Sequence, residues 1–264
     1  MEEASFSTLM DFAPAGRGHK TFIPEDWRQG RTAYGGLTAA MCLQATLKDF
    51  PDLPPLRSAQ ITFIGPASEE VQLQTTLLRQ GKNMTIINAD LISEKGLATR
   101  AVFSFGTTRD SHISKMTLPM PDAKPAADCE PLFPVPELAP TFTRHYEQRL
   151  LRGGIPFSGA TEADNLLWIR YREWQENKDM VAFLALGDAT PPAIMSNFTT
   201  FGPISTVSWL VNMLTDTPET DDGWWLLRAH AEHTQNGYSS QDMTMWNTRG
   251  EPVMKAQQSI AIFV

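Results

Sequence analysis

Cysteine is almost absent from this chain: Cys42 and Cys129 are the only two among 264 residues. Two thiols make no disulfide framework, and they lie too far apart to read as a metal motif. No apolar run approaches the roughly 18 residues of a membrane span. Long runs of Lys or Arg are also missing, and the net charge is −8, so neither nucleic acid nor an anionic membrane is expected as a partner. The five histidines (His19, His112, His145, His230, His233) show no ligand spacing. There is no Gly-X-Ser-X-Gly, which leaves the serine-nucleophile route without support. The opening residues MEEASFSTLM carry no basic segment followed by an apolar one, so they do not read as a secretory leader. These absences predict a cytoplasmic protein.

What is present is enough apolar sequence for a core: 42% hydrophobic against 20% charged. Residues 116–140 are crowded with proline and have no periodicity, which reads as an extended connector. It divides the chain into a first unit, 1–115, and a second, 141–264. In the first, Tyr34-Gly35-Gly36 precedes a helix-length stretch, Leu37 to Phe50. Strand patterns follow at Ser58–Ile64, Glu70–Leu78, Met84–Ser93 and Ala98–Phe105, separated by glycine turns. The second unit repeats the order. Strand patterns at Phe142–Leu150 and Leu166–Glu173 precede an apolar stretch, Met180–Ala189, with Asn177 or Asp179 available as N-cap. Further strands are expected at Ser205–Leu214, Trp224–Thr234, Ser239–Asn247 and Val253–Phe263. The pattern predicts an α+β fold of two repeats, each a central helix wrapped by an antiparallel sheet.

Two polar residues interrupt apolar faces. On the last strand, alternation puts Met254, Ala256, Gln258, Ile260 and Ile262 on one buried stripe. The Gln258 amide must then find partners, whether it serves a structural neighbour or a pocket. In MVAFLALGD, the spacing of Val181, Leu184, Ala185 and Asp188 points the carboxylate where a core residue is expected. Burial would raise its pKa, and hydrogen bonds would favour the charged form again. Alternatively, Asp188 caps a helix restarting at Pro191. Gly35-Gly36 offers N–H groups at a helix start, although a tight turn is the simpler reading.

Several segments, taken together, resemble the double-hotdog thioesterases of the acyl-CoA thioesterase II family. In the first unit these are Trp27 to Gly36, Ile61 to Pro66, Leu78 to Lys82 and Ala101 to Phe105. In the second they are Leu186-Gly187-Asp188, Ser205 to Trp209 and Val253 to Gln258. The resemblance implies a double hotdog and hydrolysis of acyl-CoA to free acid and CoA. It calls for no metal or cofactor and places the water-activating base on Asp188, a supporting hydroxyl on Thr206 and a water-orienting amide on Gln258, with Ser205 and Ser208 as alternatives for the hydroxyl. The first unit has Gln44 at the position corresponding to the acid, which implies one site per chain, in the second unit. An acyl slot beside the second helix, lined by Phe183 and Trp209, is expected. Lys82, Arg170 and Arg172 are candidates for the CoA phosphates, although solvated surface positions are the commoner fate. A homo-oligomer is also implied. The competing readings are a non-catalytic acyl-CoA-binding protein and a hotdog hydratase, which would need a histidine close to Asp188.

Overall fold

The computed structural model describes residues 4–264. Thirteen strands form one antiparallel sheet. Those of the first unit are β1 (Ala13–Ala15), β2 (Gly18–Ile23), β3 (Leu56–Phe63), β4 (Glu69–Gln80), β5 (Met84–Ser93) and β6 (Gly96–Gly106). Those after it are β7 (Glu130–Pro131), β8 (Tyr146–Arg152), β9 (Asp164–Tyr171), β10 (Ile204–Met213), β11 (Trp225–Gln235), β12 (Tyr238–Asn247) and β13 (Pro252–Ile262). Their spatial order is β1-β2-β4-β5-β6-β3-β10-β13-β12-β11-β9-β8-β7. The two units meet at β3 and β10, where Thr62 faces Ser208 and Ser58 faces Asn212. A four-residue helix, α1 (Phe6–Leu9), precedes the sheet. Two central helices, α2 (Gly35–Asp49) and α3 (Met180–Gly187), lie inside it and pack against each other.

Burial follows the expected alternation. On β13, Met254, Ala256, Gln258 and Ile260 are buried, while Gln257 and Ser259 face out. β9 departs from alternation: Leu166, Leu167, Trp168 and Ile169 are all buried. The reason lies in the connector, which is extended as expected but docked. Met120, Ala123, Ala126 and Cys129 pack against Leu166, Trp168, Leu226 and Trp246 on the outer face. The Trp168 indole N–H donates to the Lys124 carbonyl at 2.9 Å, and that of Trp246 to Leu118 at 2.8 Å. A strand covered on both faces has no solvent side to keep polar.

Several expected bounds shift by one or two residues, and one shifts further. The strand expected from Phe142 begins at Tyr146, because Pro140 opens a 3₁₀ turn over Thr141–His145. The apolar stretch expected through Ala189 ends as a helix at Gly187. Among the described residues, no helix is long and apolar enough to cross a membrane.

Candidate active site

α3 starts on Asp179, whose carboxylate accepts the Ala182 N–H at 2.8 Å. This is the N-cap arrangement, in which a side-chain oxygen satisfies a first-turn donor that has no helical partner. Val181 through Gly187 are buried. Buried tyrosines add hydrogen bonds to two of the helix's carbonyls. Tyr171 donates to the Ala182 carbonyl at 3.0 Å and Tyr34 to that of Ala185 at 3.4 Å. Tyr146 bridges the other two, donating to the Tyr171 hydroxyl at 3.2 Å and accepting from Tyr34, whose one proton is shared with the Ala185 carbonyl. Burial pushes all three phenols up, so they stay neutral donors.

Asp188 is the residue that ends α3, with φ −113° and ψ 12°. It lies one position beyond the helix that spacing placed it on, and still turns its carboxylate inward. The alternative role as a cap for the next turn does not occur: the 3₁₀ turn Ala193–Asn197 is preceded by Pro192 and has no side-chain cap. The Gln258 amide donates to Asp188 Oδ1 at 2.5 Å. The Gly36 N–H, in the first turn of α2, reaches the same carboxylate. The residue as a whole is half-buried. Burial is the larger effect and raises the Asp188 pKa from 3.8 to about 7, while the bonds from Gln258 and Gly36 pull it down.

Gly35 and Gly36 make room for this approach. A Cβ on Gly35 would lie 2.7 Å from Asp188 Oδ2, and one on Gly36 would lie 2.4 Å from the Ala185 carbonyl oxygen. The pair therefore does more than form a turn. It lets the start of α2 meet the end of α3.

The sequence matches two family models in order. Residues 23–106 match the acyl-CoA thioesterase N-terminal domain, and residues 119–262 match the acyl-CoA thioesterase C-terminal domain. The chain belongs to the acyl-CoA thioesterase family. Solved structures with the same fold include a hotdog-fold protein of unknown function from Alicyclobacillus acidocaldarius. It is 22% identical at a TM-score of 0.88, covering 100% of this chain and 99% of that one. An acyl-CoA thioesterase II from Mycobacterium marinum is 14% identical at a TM-score of 0.76, covering 98% of each chain. No curated protein matches the sequence. The fold is the double hotdog expected from the sequence.

Within this thioesterase fold the expected residues separate into two groups. Asp188 and Gln258 are joined directly. Thr206 is not: among the described residues its hydroxyl makes no hydrogen bond to Asp188 or to Gln258. Its register explains where it stands. Thr206 pairs with Ile260 and Trp209 with Gln258, with a bulge at Val207 between them. Cross-strand partners share a face, so Thr206 is on the side of Gln258, whereas Ser208 pairs with Ser259 on the outer side.

Phe183, on α3, and Trp209, beside it, are both buried. Phe183 packs edge-on against Trp225 at 4.8 Å, and the Trp209 ring lies against Gly187. Arg170 is held by Glu147 at 2.8 Å and lies over the Trp224 ring, and Arg172 donates to the Arg144 carbonyl.

Gln241 was missed by the reading of the sequence. It is buried on β12 directly opposite Gln258, and its Nε2 donates to Gln258 Oε1 at 2.9 Å. The signal was available in the alternation of Ser239, Gln241, Met243 and Met245, the same polar interruption that marked Gln258.

Proposed function

We propose that this protein hydrolyses acyl-CoA thioesters, with Asp188 as the base that activates water. The observation that carries the proposal is the Asp188 carboxylate. It is enclosed enough to have a pKa of about 7, open enough to meet water, and held by Gln258 and Gly36. A base whose pKa lies near the working pH combines a useful ionised fraction with real proton affinity. Water would give its proton to Asp188 as its oxygen bonds to the acyl carbon. The C–S bond then breaks, the CoA sulfur leaves and takes up a proton, and the free acid departs. Gln258 orients the carboxylate and the water, and Thr206 offers a hydroxyl from the same face of the sheet.

The histidines of the described chain are placed elsewhere, with His112 exposed after the last first-unit strand, which favours hydrolysis over hydration. His19 is on Asp49, His145 is stacked on Trp27 beside Asp26, and His230 and His233 line an outer groove with Glu162 and Asp164. The proposal includes self-association, consistent with apolar side chains left exposed on the first-unit strands, such as Phe22, Leu78 and Met84. A monomer by analytical ultracentrifugation at micromolar concentration would remove that element.

The direct test is thiol release from short, medium, long and aromatic acyl-CoAs, comparing wild type with Asp188→Asn. Release by wild type and a loss of about 10²-fold or more in the variant is expected for removal of a general base. Undiminished release by Asp188→Asn would discard Asp188 as the base. Tight acyl-CoA binding with no release from any substrate would leave a binding protein instead.

A further inference from the structure

Gln258 faces Asp188 with its amide NH₂, and something must decide that orientation. An amide side chain presents an oxygen or an NH₂ with almost the same shape. Flipped, Gln258 would turn its carbonyl oxygen toward the carboxylate. The hydrogen bonds behind it form a single line. The Ala193 N–H donates to Gln241 Oε1 at 2.6 Å. Gln241 Nε2 donates to Gln258 Oε1 at 2.9 Å, and Gln258 Nε2 donates to Asp188 Oδ1 at 2.5 Å.

Only one end of this line has a direction that no change of protonation can reverse, since Asp188 accepts when ionised and can donate when protonated. A backbone N–H can donate and never accept. The two preceding residues are Pro191 and Pro192, which have no N–H. Ala193 opens a 3₁₀ turn, so its N–H has no partner within that turn. It is fully buried and must be satisfied by an acceptor. That requirement sets the oxygen of Gln241, which sets its NH₂, which sets the oxygen of Gln258, which leaves an NH₂ for the carboxylate.

We propose that Gln241 is a positioning residue that transmits the direction of the Ala193 N–H through Gln258, so that a donor rather than an acceptor faces Asp188. It touches neither substrate nor reacting atoms and acts only through Gln258. The inference rests on the reading of Asp188 as the base, and it names what keeps that base ionised. Two titratable groups sense Asp188, Tyr34 from the start of α2 and Tyr146 from β8, and both phenols stay neutral through neutral pH.

Gln241→Glu tests the polarity with almost no change of shape. Its carboxylate still accepts from Ala193 and can only accept from Gln258, which reverses the Gln258 amide and turns its oxygen on Asp188. The acid limb of the kcat/KM–pH profile is expected to move alkaline by about one unit or more. Activity at pH 7 then falls about fivefold, and about tenfold at pH 5.5 where one unit is a full decade, and returns as the pH is raised toward 9. Gln241→Leu, which frees Gln258 without adding charge, moves the limb in the same direction and by less. An unmoved midpoint in both variants overturns the proposal, whether activity is retained or lost uniformly. A ¹³C-carboxyl NMR titration of Asp188 in wild type and Gln241→Glu reads the same shift without turnover. A shift seen by NMR with a fully active Asp188→Asn would retain the positioning role and reject the base. An inactive Asp188→Asn with no shift in either measurement would reject the positioning role alone.

Discussion

At the scale of the residue, burial and hydrogen bonding pull on Asp188 in opposite directions, and burial is stronger. A carboxyl with a pKa of about 7 in the folded chain, against an ordinary 3.8, keeps its proton where the unfolded chain has released it. Folding stability from this residue therefore falls as pH rises from about 4 to about 7, and the deficit is complete above that. One pKa unit corresponds to about 1.4 kcal/mol, which with partial exposure gives a deficit of roughly 2–4 kcal/mol. Asp188→Asn cannot ionise and escapes it. Its stability relative to wild type should rise between pH 4.5 and pH 8, read by thermal denaturation across that range. A constant difference would show that the carboxyl has an ordinary pKa. For kcat/KM the proposed role gives the opposite sign: a carboxylate base works when ionised, so activity should climb through about pH 7 and be small at pH 5. Gln258 and Asp188 were legible in the sequence because each interrupts an apolar pattern. The bond between them was not, since it joins residues 70 positions apart.

At the scale of the element, the α2–α3 crossing limits what can change. Gly36 has no room for a methyl group: its Cβ would stand 2.4 Å from a backbone oxygen, which cannot swing away, and 3.0 Å from Asp188 Cβ. Gly36→Ala should cost about 1–3 kcal/mol, the usual range for overpacking a close contact. It should also lower thiol release by displacing the N–H that meets the carboxylate. Urea denaturation and the release assay check the two effects separately, and wild-type stability would contradict the crossing geometry. α2 also directs the positive end of its dipole at Asp188, which favours the ionised form. The glycine pair was visible in sequence as a helix start. Its reason was not, because the obstacle is a carbonyl of the other unit.

At the scale of the whole molecule, the two units share one sheet, and the connector straps the outer face of the second. Strand patterns were readable where one face is wet: β5 runs from Met84 to Ser93 as alternation predicts. They were less readable where both faces are covered, as on β9, and the docking of the connector left no periodic trace because extended proline-rich chain has none. The strap depends on two indole N–H bonds. Trp168→Phe combined with Trp246→Phe should therefore lower stability by about 1–3 kcal/mol. It should also speed proteolytic cleavage within residues 116–140, followed by gel and mass spectrometry. Unchanged cleavage would mean that apolar contact alone holds the strap.

Asp188 belongs to the second unit, yet the N–H of Gly36 and the space it needs come from the first. By sequence spacing the first unit has Gln44 where the second has its aspartate, which by its own chemistry would leave it free to drift. It is not free at positions 35 and 36, where any larger residue alters an ionisation in its neighbour. A chain cut within the connector would thus yield a second fragment carrying its aspartate and most of its supporting amides. That fragment would have lost the start of the helix that faces the charge. The unit of inheritance for this site is the fused pair.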